Sequence, residues 1–456
     1  MSEQGGPQML ASRLALAAAV ALAAAGGGAT WSSAAGARGG ASVPVAPPSA
    51  TERPALLPEL SPAAPDPRPS ALAARLGAAI DAGGAGPGVG AVVLDPVTGS
   101  VLFGRNADVP LPPASTVKLV VAVAALEALG PQARLRTVTV LDGSTVILVG
   151  GGDPQFDGLP NLATATARAL GARGLRQVQL AVDLSRYAGD SVAAGWLPHY
   201  VAEGDVAPVV PLEYQEGRLS SGTGPLRTED PADQAAEVFA ADLRSAGLVV
   251  STAIERQASA AGDRILAEVD SRPVLSLVEQ MLTDSDNDLA EALARAVAVR
   301  LGDPATFLGG ATATRSELVR LGLDPTGLYL ADASGLSRLD VVPPMLLARL
   351  LTVIAEPGHP ELRPVLEGLP VAGFTGTLAG RYRSGPAAAA AGLVRAKSGR
   401  LDGVSSLAGT VVDTSGRLLV FVVLAPHAPR FELAEPALDN LVATLAGCGC
   451  RRAPVP

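Results

Sequence analysis

Only two residues of this 456-residue chain are lysine, Lys118 and Lys397, whereas the other 33 cationic side chains are all arginine. Each lysine lies in a short pattern, Ser115-Thr116-Val117-Lys118 and Lys397-Ser398-Gly399. Arginine keeps its proton in proteins, but a desolvated lysine can be neutral near pH 7 and act as a base. That is a reason to need lysine at 118. The reason is weaker at 397, where arginine would serve for a cation that only binds. Residues three apart share a helix face, so Lys118 can reach Ser115. Pro112 and Pro113 put Ser115 at or near a helix start, where free N–H groups and the helix dipole favour a developing alkoxide. The apolar run after Lys118 desolvates it and lowers its pKa, leaving an amine able to take the serine proton.

Two further patterns bear on chemistry. Ser285-Asp286-Asn287 lies between helical runs ending at Thr283 and starting at Asp288. Asp288-Leu289-Ala290-Glu291 fits a capping box, so a purely structural reading exists. In the functional reading Ser285 relays a proton and Asn287 hydrogen-bonds a substrate amide. Lys397 and Ser398, on an exposed strand edge, can bind a substrate carboxylate, and Gly399 lets a substrate backbone lie close, as in strand addition. Each pattern alone is weak evidence. Their order, S-x-x-K, then S-x-N, then K-[ST]-G, is that of penicillin-recognising serine enzymes.

The elements that must position these residues are legible. A helix is expected near 71–82, then strands at 89–95 and 100–105 joined by a turn at 96–99. Residues 119–130 form a helix that is apolar nearly all round and so must be buried, ended by Gly130-Pro131. Strand patterns follow at 136–141 and 145–149. A helical block at 273–301 is interrupted near Ser285, and strands at 392–397, 404–413 and 417–424 precede a last helix at 432–445. The early hairpin and the late strands must share one sheet, an α+β arrangement. The chain divides into a signal peptide or membrane anchor (1–37), a Pro/Ala-rich linker (38–69), a first catalytic part (70–153), an inserted subdomain (154–264), a second catalytic part (265–446) and a tail (447–456).

Hydrophobic content of 48% with 17% charged residues describes a globular chain. A net charge of -9 and the lack of a basic block argue against nucleic acid. The three histidines, His199, His359 and His427, have no metal-ligand spacing, and Cys448 and Cys450 are far from them in sequence, so no metal or other cofactor is expected. Residues 14–25 are apolar, too short for a spanning helix and suited to a signal-peptide core with cleavage after Ala25 or Ala37; an uncleaved anchor is the other reading. Both put the body of the protein outside the cytoplasm, where Cys448 and Cys450 have three options: a strained ring, an intermolecular bridge or free thiols.

The chain resembles the D-alanyl-D-alanine carboxypeptidase/endopeptidase family of low-molecular-mass class C penicillin-binding proteins. The likeness rests on PPASTVKLVVAVAALEALG (112–130), LVGGGDPQF (148–156), TDSDNDLAEALAR (283–295), DASGLSR (332–338) and VRAKSGRLDGVSSLAG (394–409). It implies the transpeptidase/β-lactamase-like fold, an antiparallel sheet flanked by helices with a subdomain inserted between the first two motifs. It also implies Ser115 as nucleophile, Lys118 as base, Ser285 and Asn287 lining the pocket, and Lys397 and Ser398 holding the substrate carboxylate. The Ser115 and Arg400 N–H groups would form the oxyanion hole, and peptidoglycan stem peptides and β-lactams would be the ligands. Two departures stand out: Ser398 where threonine is usual, and a Lys118-to-Ser285 interval that implies a reduced or missing insertion. A β-lactamase or esterase on the same fold, and a retired cell-wall-binding scaffold, are the rival readings. The deprotonation argument predicts that Lys118→Arg, though it keeps the charge, is nearly inactive; turnover assays showing substantial rate would refute the base assignment.

Overall fold

The computed structural model describes Ala64, residues 67–219 and residues 226–448. The segment read as signal peptide or anchor, nearly all of the linker and Cys450 lie outside the described residues. Among the described residues no helix is long and apolar enough to cross a membrane. In chain order, α1 (Pro69–Asp81) leads to β1 (Gly90–Leu94) and β2 (Val101–Arg105), and a 3-10 turn, Ala114–Val117, opens α2 (Lys118–Leu129). There follow β3 (Arg136–Asp142), β4 (Thr145–Val149), α3 (Leu159–Gly171), β5 (Gln177–Asp183), α4 (His199–Glu203), α5 (Pro231–Ser245), β6 (Val249–Arg256) and β7 (Arg264–Asp270). The helices α6 (Val274–Asp284), α7 (Asn287–Leu301), α8 (Phe307–Arg320), α9 (Pro344–Ala355) and α10 (Arg363–Glu367) come next, before β8 (Val394–Leu401), β9 (Val404–Val412), β10 (Leu418–Ala425) and α11 (Phe431–Ala446).

The early hairpin and the late strands do share one sheet, antiparallel throughout, in the order β2-β1-β10-β9-β8. Strand alternation sorts its side chains between two cores. Ala91, Val93, Leu419, Phe421 and Val423 face α1 and α11. Val92, Leu94, Val420, Val422 and Leu424 face the helical side, where α2, α6, α7 and α9 pack. The apolar circumference of α2 accounts for its place at the centre of that cluster, fully surrounded. The architecture is thus α+β, an antiparallel sheet flanked by helices.

A second sheet, β6-β5-β4-β3-β7, carries α3 and α5 on one face. Here the expected boundaries need correction. The β3–β4 hairpin, assigned above to the catalytic part, pairs with this sheet: β4 runs parallel to β5, and β3 antiparallel to β7. Divisions at 153/154 and 264/265 would therefore cut hydrogen-bonded ladders, and the second sheet runs from Arg136 to Asp270. The capping box is also overturned. Asp286 caps α7 by accepting the Leu289 N–H, whereas Asp288 and Glu291 lie inside the helix and are buried. Phe421 is fully enclosed, so Phe421→Ala should cost about 3–5 kcal/mol, read as a lowered urea midpoint of unfolding.

Candidate active site

Ser115 sits in the 3-10 turn before α2, directly after Ala114, which adopts φ +46°. A left-handed alanine costs about 1–3 kcal/mol and persists only where its surroundings enforce it. Here the Thr116 and Ser406 hydroxyls both donate to the Pro113 carbonyl, at 2.7 and 2.6 Å. Two glycines then press on the turn. Gly335 has φ +82°, and a Cβ there would overlap the Ala114 carbonyl. A Cβ on Gly399 would lie 2.9 Å from both the Pro113 oxygen and the Ser115 nitrogen. Gly399 is needed first by the protein itself, because β8 runs against the Pro113–Ser115 backbone.

Lys118 is fully buried and makes three hydrogen bonds: to Ser115 Oγ (3.0 Å), Asn287 Oδ1 (2.7 Å) and the Ser334 carbonyl (2.6 Å). Asn287 Nδ2 donates to the Asp205 carbonyl at 2.8 Å, which fixes the amide so that its oxygen faces the lysine. A neutral amine has two N–H donors and one lone pair. The two oxygens of Asn287 and Ser334 can only accept, so they take both donors and leave the lone pair aimed at Ser115. Burial lowers the Lys118 pKa to about 8, against the opposing pull of Asp332, Asp286, Glu291 and Asp288.

Each acceptor is held by its own network. The Ser334 loop hangs on carboxylates: Glu291 accepts the Ala333 and Ser334 N–H groups (3.0 and 2.8 Å), and Asp332 accepts the Gly335 and Ser337 N–H groups (both 2.7 Å). The Trp196 indole also donates to Asp332 at 2.6 Å, tying in the segment before α4. Around Asn287, Asp288 accepts the Ala207 N–H (2.7 Å) and pairs with buried Arg227 at 3.0 Å. Ser334 was missed as a site residue because its carbonyl acts, and a carbonyl leaves no mark in residue type. The DASGLSR segment containing it was the available signal.

The other sequence candidates fall out as follows. Ser285 ends α6 in a left-handed conformation (φ +62°) and is not a hydrogen-bond partner of Ser115 or Lys118. Asn287 points at Lys118 instead of into open space. Lys397 is on the edge strand β8, as expected, but its side chain is fully buried and donates to the Ser398 carbonyl at 2.9 Å. Burial holds Lys397 well below the usual lysine range, with Lys118 adding to the effect and Asp284 opposing it. The more accessible group is the half-buried Ser398 hydroxyl, 2.7 Å from that of Thr377, a residue outside all three motifs. The Arg400 side chain points away, over the Phe431 ring at 4.8 Å. Its backbone is the relevant part. Ala396 N–H donates off the sheet edge to Pro370, and alternation turns the Ser398 and Arg400 N–H groups the same way. If the neutral amine is the base, acylation must rise with pH through a midpoint near 8, the pH at which Lys118 loses its proton; a flat rate from pH 6 to 9 would contradict this.

Comparison with known proteins gives a consistent answer. The sequence model of the D-Ala-D-Ala carboxypeptidase 3 (S13) family matches residues 72–225 and 221–444. The carboxypeptidase DacB of Mycolicibacterium smegmatis is 37% identical over 429 residues, 90% of this chain and 91% of that one. The D-alanyl-D-alanine carboxypeptidase of Actinomadura sp. strain R39 is 28% identical, covering 78% and 81%. The crystal structure of penicillin binding protein 4 from Haemophilus influenzae, at 22% identity, superposes with a TM-score of 0.68 over 83% of this chain and 98% of that one. That protein is also known in complex with a β-lactam. With most of its length matched by the family and by a 37% identical relative, the chain belongs to the D-Ala-D-Ala carboxypeptidase 3 (S13) family of peptidases.

Proposed function

We propose that the chain is a serine D,D-peptidase acting outside the cytoplasm on D-Ala-D-Ala linkages of peptidoglycan stem peptides, as carboxypeptidase, endopeptidase or both, through an acyl-enzyme on Ser115. The observation that carries this reading is the Lys118 amine, whose two donors are occupied and whose lone pair faces Ser115 Oγ at 3.0 Å. Ser115 Oγ attacks the D-Ala carbonyl carbon while its proton passes to Lys118 Nζ. The developing oxyanion sits between the Ser115 and Arg400 N–H groups, for which the outward alternation of β8 is the support. The C–N bond then breaks and the leaving amine takes the proton that Lys118 Nζ received from Ser115, returning the lysine to its neutral form. Ser285, at the α6–α7 junction two residues before Asn287, is assigned the relay of that proton. Water attacks the ester, with Lys118 again as base, and frees Ser115.

The substrate lies along the open edge of β8 as an added strand, with its terminal carboxylate on the Ser398 and Thr377 hydroxyls. Lys397 supplies positive charge from beneath. An arriving carboxylate offsets the burial and the repulsion from Lys118 that otherwise hold Lys397 low. A β-lactam presents a carbonyl and a carboxylate to the same groups, but its leaving nitrogen stays tethered. Intact-mass measurement of residues 70–456 with penicillin, beside Ser115→Ala, tests the assignment. A long-lived adduct on the wild type alone is expected. An adduct that persists in Ser115→Ala would sink the nucleophile assignment, and rapid drug loss without an adduct would mean a β-lactamase.

A further inference from the structure

Arg295 lies one turn beyond Glu291 on α7, is 1% exposed and forms no ion pair among the described residues. Burying a cation without a partner is expensive, so the surroundings of this one are informative. Its Nη1 donates to the Ala305 carbonyl at 2.6 Å, and its plane lies over Phe307 and Tyr187, with ring centres 4.2 and 5.3 Å away. Its Nη2 is buried and has no hydrogen-bond partner among the described residues. The same is true of Thr314 Oγ1 on α8. Both residues line one cavity of about 10 Å³, which Glu291, Asp332 and Ala333 also line. That volume suits a single water, and two orphaned groups with two carboxylates provide the polar partners a buried water needs.

Carboxyls and cations crowd the surroundings of this cavity. Glu291 and Asp332 carry the backbone N–H groups that shape the Ser334 loop. Lys118 and Arg295 are the cations nearby, and a third carboxyl, Asp340, is pushed well above the usual range by burial and by its neighbour Asp332.

We propose that Arg295, joined to Glu291 through one water molecule in this cavity, is a positioning residue for acyl transfer: it favours the ionised form of Glu291 and holds the Ser334 carbonyl in place as the acceptor for Lys118. The proposal rests on the acyl-transfer reading above. The charged groups facing Lys118 are Asp332, Asp286, Glu291 and Asp288 on one side and Lys397 on the other. Those facing Glu291 are Asp332, Lys118 and Arg295. Burial and then Asp332 push Glu291 up to about 7 with Arg295 in place, and removing a neighbouring cation raises a carboxyl further, so without Arg295 it holds its proton through the neutral range. Lys118 then loses one of the charges that favour its protonated form and gives up its proton at lower pH.

Because the chain has only two lysines, this can be read directly in protein labelled with ε-¹³C lysine, by NMR titration of Lys118, with Lys397→Gln assigning the second signal. Arg295→Met and the isosteric Glu291→Gln should each move the Lys118 midpoint to lower pH, by on the order of one unit. The double variant should move no further, and Arg295→Lys should leave the midpoint in place. An unchanged midpoint in Arg295→Met, or shifts that add in the double variant, would overturn the proposal, as would a crystal structure with the cavity dry. Penicillin labelling of the wild type, run in parallel, reports separately on the acyl-transfer reading, since the titration requires no turnover.

Discussion

The coordination of one amine organises this molecule. Lys118 Nζ has three neighbours, and two of them, Asn287 Oδ1 and the Ser334 carbonyl, can only accept. A buried ammonium would need a third acceptor, and Ser115 Oγ can serve as one. A buried amine instead receives the hydroxyl proton. The site therefore suits both protonation states of Lys118 without rearrangement, which is what a group that takes and returns a proton requires. Desolvation brings the two states within reach of each other, and the ring of carboxylates stops the shift at about 8.

That coordination draws residues from across the chain. Ser115 and Lys118 share the first turns of the central helix, Asn287 starts α7, and Ser334 lies on a loop suspended from Glu291 and Asp332. The sheet contributes by close approach: Gly399 and Ser406, paired across β8 and β9, hold the Pro113–Ser115 backbone from one side while Gly335 holds it from the other. The left-handed Ala114 is the strain this clamp sustains. The connection between β5 and α5 takes part as well, through Arg227 on Asp288 and through the segment around Asp205–Ala207, so the supporting network of the site extends well beyond the three short motifs.

The motifs and most elements could be read in the sequence because they are local. A three-residue spacing on an apolar helix brings a serine to a lysine whatever surrounds it, and the early hairpin and late strands had alternating patterns with no other partner. The β3–β4 hairpin was misplaced because a strand pattern says that a segment pairs, never with which sheet. The Asp288–Glu291 capping box failed for a related reason. Capping propensity is a surface preference, and both side chains were drawn inward by tertiary partners, Arg227 for one and the Ala333 and Ser334 amides for the other.

Residue type and spacing by themselves set a serine within reach of a lysine and required the carrying helix to be central, since of the two cationic side chains only lysine can give up its proton and an apolar circumference tolerates no solvent. The tertiary structure decided what those residues face. It turned Asn287 toward Lys118, sank Lys397 beneath Ser398, and made a backbone carbonyl, that of Ser334, an acceptor for the lysine. Such roles depend on where a group points and what desolvates it. Those are properties of packing, and no single side chain carries them in the sequence.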